Sequence, residues 1–195
     1  MTAKRTPARQ RLLETADRLF YTEGVHTVGI DRVIEEAGVA KGSLFYNFSN
    51  KDGLVAAYLA GRDESRRKRV ARHLEGLDDP VGKILAVFDA LQEVVSAPGY
   101  NGCPFANANA EAAPGSVEAQ ALRTFRGWLA DMFLALAEEA GFVDPADTAD
   151  RLRLLYDGAV ANAQLDAHPG AVGLAKELAS MVLQASPRNV LQAKG

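Results

Sequence analysis

The sequence predicts an all-α protein of about nine helices, and two observations support this prediction. Apolar residues recur at positions i, i+3, i+4 and i+7 along most of the 195 residues, which is the spacing of amphipathic helices. Glycine and proline stand where these stripes stop, as at Gly38 and Pro80, and these residues commonly end or begin helices.

The N-terminal stripes predict two helices and a short third one. The first stripe ends before Gly24 and consists of Leu12, Leu13, Ala16, Leu19 and Phe20. The second stripe ends before Gly38 and consists of Ile30, Val33, Ile34 and Ala37. Glycine adopts the left-handed conformation without steric cost, so Gly38 allows a sharp turn into a third helix from about Ala40 to Asn47.

Two short helices joined by a tight turn, after a longer helix, are typical of a helix-turn-helix, whose second helix lies in the DNA major groove. We expect Leu44 and Phe48, together with Phe45, to hold the third helix on the first two. The residues then left on or near the groove side are Lys41, Gly42, Ser43, Tyr46 and Asn47. Asn50 is placed to cap a fourth helix, with Lys51 in its first turn, where backbone N–H groups favour a phosphate.

Charge is divided unevenly along the chain. Residues 1–51 carry eight Lys or Arg and six Asp or Glu, a net charge of +2, which leaves −5 for the rest. A mildly basic head thus precedes an acidic body. With one cysteine, no intramolecular disulfide is possible, and no apolar run approaches the roughly 20 residues that span a bilayer. The sequence also lacks a signal-peptide pattern at its start, so we expect a cytoplasmic protein without membrane partners.

Six further helices are predicted after Asn50. The fourth passes through the basic run "RDESRRKRVARHL", which we interpret as a solvated helix face. The fifth starts at Pro80 and ends at Pro98, and a turn with a short helix follows in "YNGCPFANANAEAAPG". A long helix ends at Gly141, and two more run from about residue 145 to 167 and from about residue 171 to 185. The last ten residues are predicted to be a frayed tail.

The motifs "ADRLFYTEGV", "GIDRVIEEAGVAKGSLFYNF" and "NKDGL" resemble those of the tetracycline-repressor (TetR) family of bacterial transcription regulators. The resemblance implies a DNA-binding domain in residues 1–54, and a helical ligand-binding and dimerisation domain in residues 55–195. It also implies a homodimer on double-stranded operator DNA, released by a small-molecule effector. The DNA contacts that it implies are Lys41, Gly42, Ser43, Tyr46, Asn47 and Lys51.

The chain departs from the family pattern at two positions. Val28 stands where the family often has a threonine entering the second helix, and Phe45 stands where it often has a tyrosine. Neither side chain has a hydroxyl for a phosphate oxygen. We expect Thr27 or the backbone of Gly29 to cap the second helix instead, and both are included among the DNA-site residues.

The motifs of common enzyme classes are missing from the sequence. It has no His-Glu pair at metal spacing, no nucleophile elbow and no phosphate-cradling glycine loop, so we predict no enzyme, no metal and no cofactor. Two alternatives to a ligand-released repressor stay open. One is a repressor that senses oxidants or electrophiles through the thiol of Cys103. The other is a helical ligand-binding protein that has lost DNA binding.

Two sites are predicted in the C-terminal helices. An effector pocket should be mostly apolar with a few polar anchors. Its candidate residues are Phe88, Leu91, Cys103, Phe105, Asn107, Asn109, Glu111, Phe125, Trp128, Leu129, Met132, Tyr156 and Asn162. Apolar stripes on the last two helices predict a dimer interface, although such stripes also occur in intramolecular cores. Its candidate residues are Leu152, Leu155, Ala159, Leu174, Leu178, Met181 and Val182.

Overall fold

The computed structural model describes residues 6–168 and 170–189, and these residues form nine α-helices and no β-strand. The all-α prediction and the predicted number of helices are therefore confirmed. The helices are α1 (Ala8–Glu23), α2 (Ile30–Ala37), α3 (Lys41–Phe48), α4 (Lys51–Leu74), α5 (Pro80–Val95), α6 (Pro104–Asn109), α7 (Val117–Glu139), α8 (Pro145–Leu165) and α9 (Ala171–Ala185). None of the helices within the described ranges is long and apolar enough to cross a membrane.

The chain forms two compact units. Among the residues that the structure describes, the first unit contains those up to Glu64 together with Cys103–Thr124, and the second contains Ser65–Gly102 and those from Phe125 onward. Helices α4 and α7 each contribute residues to both units. The domain boundary predicted after residue 54 falls inside α4 and stays a prediction.

In the first unit, α1 packs against α2 and α3 through the predicted apolar stripes. The fully buried members include Leu12, Leu19 and Val33, and Leu44 completes the contact from α3. Gly38 ends α2 with φ 61°, the left-handed conformation expected from the sequence. This tight turn sets the direction in which α3 leaves α2.

The second unit is a helical core built on α5, α8 and α9, which pack on one another. Its buried aromatic cluster joins Phe88 of α5, Phe133 of α7 and Tyr156 of α8, with ring centroids 6.1 to 6.3 Å apart. The Tyr156 hydroxyl accepts a hydrogen bond from the buried guanidinium of Arg66 at 2.9 Å. Such a partner removes the cost of burying the phenol oxygen.

The prediction of a frayed tail from residue 186 onward is wrong for the residues that the structure describes. Val143 donates its N–H to the carbonyl of Pro187, and Asn189 donates to the carbonyl of Gly141, both at 2.9 Å. Arg188 also lies over the ring of Phe142. These backbone bonds hold residues 187–189 against the loop after α7. Local composition cannot reveal such bonds, because the two segments are distant in sequence. Residues 190–195 lie outside the described part of the chain.

Candidate DNA-binding surface and apolar cavities

Helix α3 has a buried apolar side and an exposed polar side. Leu44 and Phe48 are buried against the rest of the unit, as predicted. Lys41, Gly42 and Tyr46 are exposed, and 90% of the Tyr46 side chain is open to solvent. An almost fully exposed tyrosine does not help to hold the unit together. The outward side of α3 is therefore available for contacts with another molecule.

Two predicted DNA-contacting side chains already have partners in the free protein. The Lys41 ammonium lies 2.9 Å from the carboxylate of Asp31, and both groups are largely exposed. An exposed ion pair of this kind contributes little and can be exchanged for a phosphate. Asn47 donates from Nδ2 to the backbone carbonyl of Ser43 at 2.7 Å, and both residues are half-buried. The side chain of Asn47 is thereby folded back along its own helix.

The start of α2 differs from the prediction in one respect. Gly29 occupies the N-cap position in an extended conformation, as one of the two expected options, but no side chain caps this helix. Thr27, the other option, is exposed and forms no such bond. Val28 is buried in the core, which explains why an apolar residue suits this position.

The start of α4 agrees with the prediction. Asn50 accepts a hydrogen bond from the backbone N–H of Gly53 through Oδ1 at 2.8 Å, and it thus caps the helix. Lys51 follows as the first helical residue and is half-buried. Its charge stands beside the N–H groups of the first turn, and Asp52 in the same turn offsets part of that charge.

Phe45 does not pack as the sequence predicted. We expected it to help Leu44 and Phe48 hold α3, but 44% of its side chain is exposed. The physical reason is that residues 44 and 48 lie one turn apart and complete the buried side by themselves, while residue 45 is rotated about 100° away. Phe45 therefore belongs to the exposed surface of α3.

An apolar cavity of about 260 Å³ lies within the first unit. Residues of α4, α6 and α7 line it: Ala56, Leu59, Ala60, Asp63, Phe105, Val117, Gln120, Ala121 and Thr124. Most of the lining is apolar, and Asp63, Gln120 and Thr124 supply polar atoms. This combination is typical of sites for small organic molecules.

The cavity includes one of the predicted pocket residues, Phe105. Of the others in this unit, Asn107 and Asn109 are half-buried and Glu111 is exposed, and none of the three lines the cavity. The thiol of Cys103 is buried. The polar run in α6 is therefore outside the lining, because the helix turns Phe105 and not its asparagines toward the space.

The remaining predicted pocket residues lie in the second unit. Phe88, Leu91, Phe125, Leu129 and Tyr156 are buried core residues, while Trp128 and Met132 are half-buried. Asn162 is exposed and lines a second cavity of about 200 Å³ formed by α8, α9 and the loop between them. The Trp128 ring also lies 4.7 Å from the Arg67 guanidinium carbon in a cation–π contact.

The residues predicted for a dimer interface separate into a buried and an exposed group. Leu152 and Ala159 are buried within the unit and contribute to its core. Leu155 and Val182 are half-buried, whereas Leu174, Leu178 and Met181 are 54%, 40% and 60% exposed. Leu154, which the sequence did not single out, is 73% exposed and lines the second cavity with Leu174 and Leu178.

The basic run of α4 is partly neutralised by one carboxylate of α5. His73, Arg72 and Arg69 all contact Glu93, at distances between 2.6 and 3.2 Å. The hydrogen bond from His73 and then that from Arg72 lower the pKa of Glu93 to about 2. The exposed part of the run thus fits the interpretation as a solvated face, but its acidic partner lies on α5 and not on α4 itself, and Arg66 within the run is buried. In the first unit, burial raises the pKa of the Tyr58 hydroxyl.

The three N-terminal helices, with a tight glycine turn between α2 and an exposed α3, define a helix-turn-helix DNA-binding protein. Residues 12–58 match the family model described as bacterial regulatory proteins, tetR family. The TetR-family transcriptional regulator SCO4454 of Streptomyces coelicolor is 35% identical, with a TM-score of 0.86 over 91% of this chain and 94% of that chain.

Two curated regulators are also similar. The HTH-type transcriptional regulator LmrA of Bacillus subtilis is 33% identical over 85 residues, 43% of this chain and 45% of LmrA, so the match spans less than half of that protein. The HTH-type transcriptional repressor DhaR of a Mycobacterium species is 26% identical over 171 residues, 83% of this chain and 85% of DhaR. The chain belongs to the TetR family of DNA-binding transcription regulators and is not an enzyme.

Proposed function

We propose that the protein is a cytoplasmic repressor that binds an inverted-repeat operator as a homodimer and leaves it when a small, mostly apolar molecule binds. The observation that carries the proposal is the exposed side of α3, which follows a tight turn and ends beside the capped start of α4. The similarity to a protein named as a transcriptional repressor supports the direction of regulation. The fold and family do not favour a thiol sensor or a protein without DNA binding.

DNA recognition is assigned to α3 and to the first turn of α4. Lys41 and Lys51 provide charge for phosphates, whereas Ser43, Tyr46 and Asn47 are assigned to base edges, with Asn47 giving up its bond to the Ser43 carbonyl. A gel shift with the intergenic DNA next to the protein's own gene tests this assignment. Lys51→Ala should weaken binding to every sequence and lower the slope of log affinity against log salt by about one, because one counterion fewer is released.

A matched control comes from the second unit. Lys83→Ala removes the same charge from α5, where Lys83 pairs with Glu139, and it should leave both affinity and slope unchanged. Affinity that stays constant between low and moderate salt would contradict the phosphate contacts. Absence of a shifted band with any adjacent DNA would contradict operator binding itself.

The homodimer is assigned to the exposed apolar surface of α8 and α9. Leu154, Leu174, Leu178 and Met181 expose large side chains on two helices that pack together, and the first three line one cavity. Exposed apolar surface of this kind is typical of a protein interface. In a two-fold arrangement the same surface serves both subunits. An inverted-repeat operator requires two α3 helices at major-groove positions about 34 to 36 Å apart, and a homodimer supplies two such helices.

Charge reversal of this surface tests the dimer. The double variant Leu178→Glu with Met181→Glu should sediment as a monomer, because an interface would bury two carboxylates without partners. Val143→Glu is the control, since Val143 is also exposed in the second unit but lies in the loop before α8. A dimer that persists in the double variant would place the interface elsewhere.

The effector site is assigned to the cavity in the first unit. Its lining of leucine, alanine, valine and phenylalanine side chains favours apolar molecules, and Gln120, Thr124 and Asp63 offer hydrogen-bonding positions. The neutral dye Nile red is a suitable probe. It should fluoresce with the native protein and much less with Ala121→Trp, in which the indole fills the cavity.

A hydrogen bond connects the cavity to the helix-turn-helix. Phe105 lines the cavity from α6, and in the same helix segment the carbonyl of Ala108 lies 3.1 Å from Nε2 of His26, in the loop between α1 and α2. A molecule that displaces α6 would therefore pull on the segment that positions α2 and α3. A ligand shifts the equilibrium only if it favours the shape that does not bind DNA.

This connection is testable without the natural effector. Ala121→Trp should imitate a bound molecule and weaken operator binding. Adding His26→Ala should restore much of the affinity, because the displaced α6 is then uncoupled from the loop. Operator affinity that is equally low in the double variant would show that His26 does not transmit the change.

A further inference from the structure

Packing in the first unit covers only part of the Phe45 side chain. Its neighbours Leu44 and Phe48 complete the buried side of α3, and 44% of Phe45 remains open to solvent. An aromatic side chain loses a favourable contribution of roughly 25 cal/mol for each Å² that it leaves in water. An exposed phenylalanine on a surface otherwise suited to DNA therefore points to a contact with a partner.

The surroundings of Phe45 leave room for such a contact. Lys41 and Gly42 precede it by four and three positions, so they lie on the same side of the helix. A Cβ atom placed at Gly42 would meet nothing within 4 Å. The helix surface at Gly42 is thus open, and a lysine that can hold a phosphate precedes Phe45 by one turn.

The polar residues of α3 leave part of the base recognition unexplained. Asn47 is bonded to the carbonyl of Ser43, and Ser43 itself is half-buried. Tyr46 is the most exposed of the polar side chains, and its hydroxyl suits a phosphate or a base edge equally. Phe45 has neither donor nor acceptor, so it cannot bond to a phosphate or to a polar base edge.

We propose that Phe45 determines sequence specificity by packing against the 5-methyl group of a thymine in each operator half-site. The thymine methyl is the apolar group that a base presents in the major groove, and phenylalanine is among the side chains that contact it. The inference rests on the proposed binding of operator DNA through α3. A tyrosine at this position would offer the same apolar ring and, in addition, a hydroxyl group.

Removing the methyl group from the DNA tests the proposal directly. Each thymine position of the operator is replaced by deoxyuridine, one position at a time and in both half-sites together. The affinity of the full chain for each operator is then measured by fluorescence anisotropy. At one position, deoxyuridine should lower the affinity of the native protein by about fourfold per half-site. This factor corresponds to the free energy of burying one methyl group. Substitution at the other thymines should have little effect.

Variants then assign the lost contact to a residue. Phe45→Ala should bind the thymine operator more weakly and should show no further loss with deoxyuridine at that position. Phe45→Leu should keep part of the penalty, because it still offers an apolar surface. Tyr46→Phe should bind more weakly overall but should keep the full penalty. Circular dichroism checks that each variant is folded, as is expected for changes at exposed positions.

Three results would overturn the assignment. The first is native protein that does not distinguish deoxyuridine from thymine at any position. The second is a penalty of unchanged size in Phe45→Ala, which would assign the methyl contact to another residue. The third is failure to bind any operator, which would contradict the proposed function as well and is therefore distinguishable from the first two.

Discussion

Gly53 should be indispensable for the junction of α3 and α4, whereas Gly61 in the same helix should not. A Cβ atom at Gly53 would lie 2.0 Å from the backbone carbonyl oxygen of Phe48, the last residue of α3. Real Cβ atoms almost never approach closer than 3.0 Å, so the two backbones would have to separate by about 1 Å. At Gly61 the same atom meets nothing within 4 Å.

The two alanine variants should therefore change stability in opposite directions. Gly61→Ala should stabilise the protein by about 0.5 to 1 kcal/mol, because alanine restricts the unfolded chain and favours a helix. In Gly53→Ala the same gain is outweighed by forced separation of packed backbone, which costs about 1 to 3 kcal/mol or more. The free energies of unfolding of the two variants should thus differ by at least about 1 kcal/mol.

Hydrogen exchange locates the effect within the molecule. In Gly53→Ala the amides of α3 and the first turn of α4 should exchange faster, and operator affinity should fall because α3 is displaced. The single tryptophan, Trp128 in the second unit, should report little change in its fluorescence. Equal stability of Gly53→Ala and Gly61→Ala, with unchanged exchange in α3, would refute the steric argument.

Two further predictions concern charged groups in the two units. Arg11 donates from one guanidinium nitrogen to the carbonyls of Ala37 and Gly38, at 3.0 and 2.9 Å. Arg11→Ala should therefore destabilise the end of α2 by about 1 to 2 kcal/mol. Hydrogen exchange should show faster exchange of the amides in α2 and α3. Arg151→Ala, which removes an exposed pair with Asp147, should have an effect below about 0.5 kcal/mol. The pKa of Glu93 is lowered from 4.5 to about 2, so its stabilising contribution is present above pH 4.5 and is lost as the pH falls toward 2. The difference in melting temperature between the native protein and Glu93→Gln should therefore shrink below pH 4.5, and a constant difference from pH 6 to 3 would contradict this assignment.

The N-terminal helices were predictable because their signals are local. The Leu44 and Phe48 pair, the left-handed Gly38 and the Asn50 cap each act within one or two turns of the chain. Such signals are fully contained in short windows of sequence. The interpretation of Phe45 failed for a related reason. In a short helix, two apolar residues one turn apart already complete the buried side. A third apolar residue next to them, such as Phe45, then lies at the surface.

The cavity could not be predicted because its residues are distant in sequence. Ala56 and Asp63 of α4 meet Phe105 of α6 and Gln120 of α7, and the stripes of these helices do not reveal where their packing leaves a space. The predicted pocket favoured large aromatic residues. Those residues, such as Phe88 and Tyr156, fill the core of the second unit, whereas three of the nine residues that line the cavity are alanines. Small side chains leave volume where large ones occupy it.

Burial within the chain limits which residues of α8 are available to a partner. Leu152, Tyr156, Ala159 and Ala163 recur every three or four positions, and all are buried within the chain. They form the most regular stripe of the helix because the core requires continuous contact with α9, where buried alanines permit close approach. Leu154 lies two positions after Leu152 and thus about 160° around the helix from it. An apolar residue outside the regular stripe has no place in the core, so its exposure is the stronger indication of an interface. We therefore expect Leu154→Glu to weaken a dimer without lowering the stability of the monomer, whereas Leu152→Glu should prevent the second unit from folding.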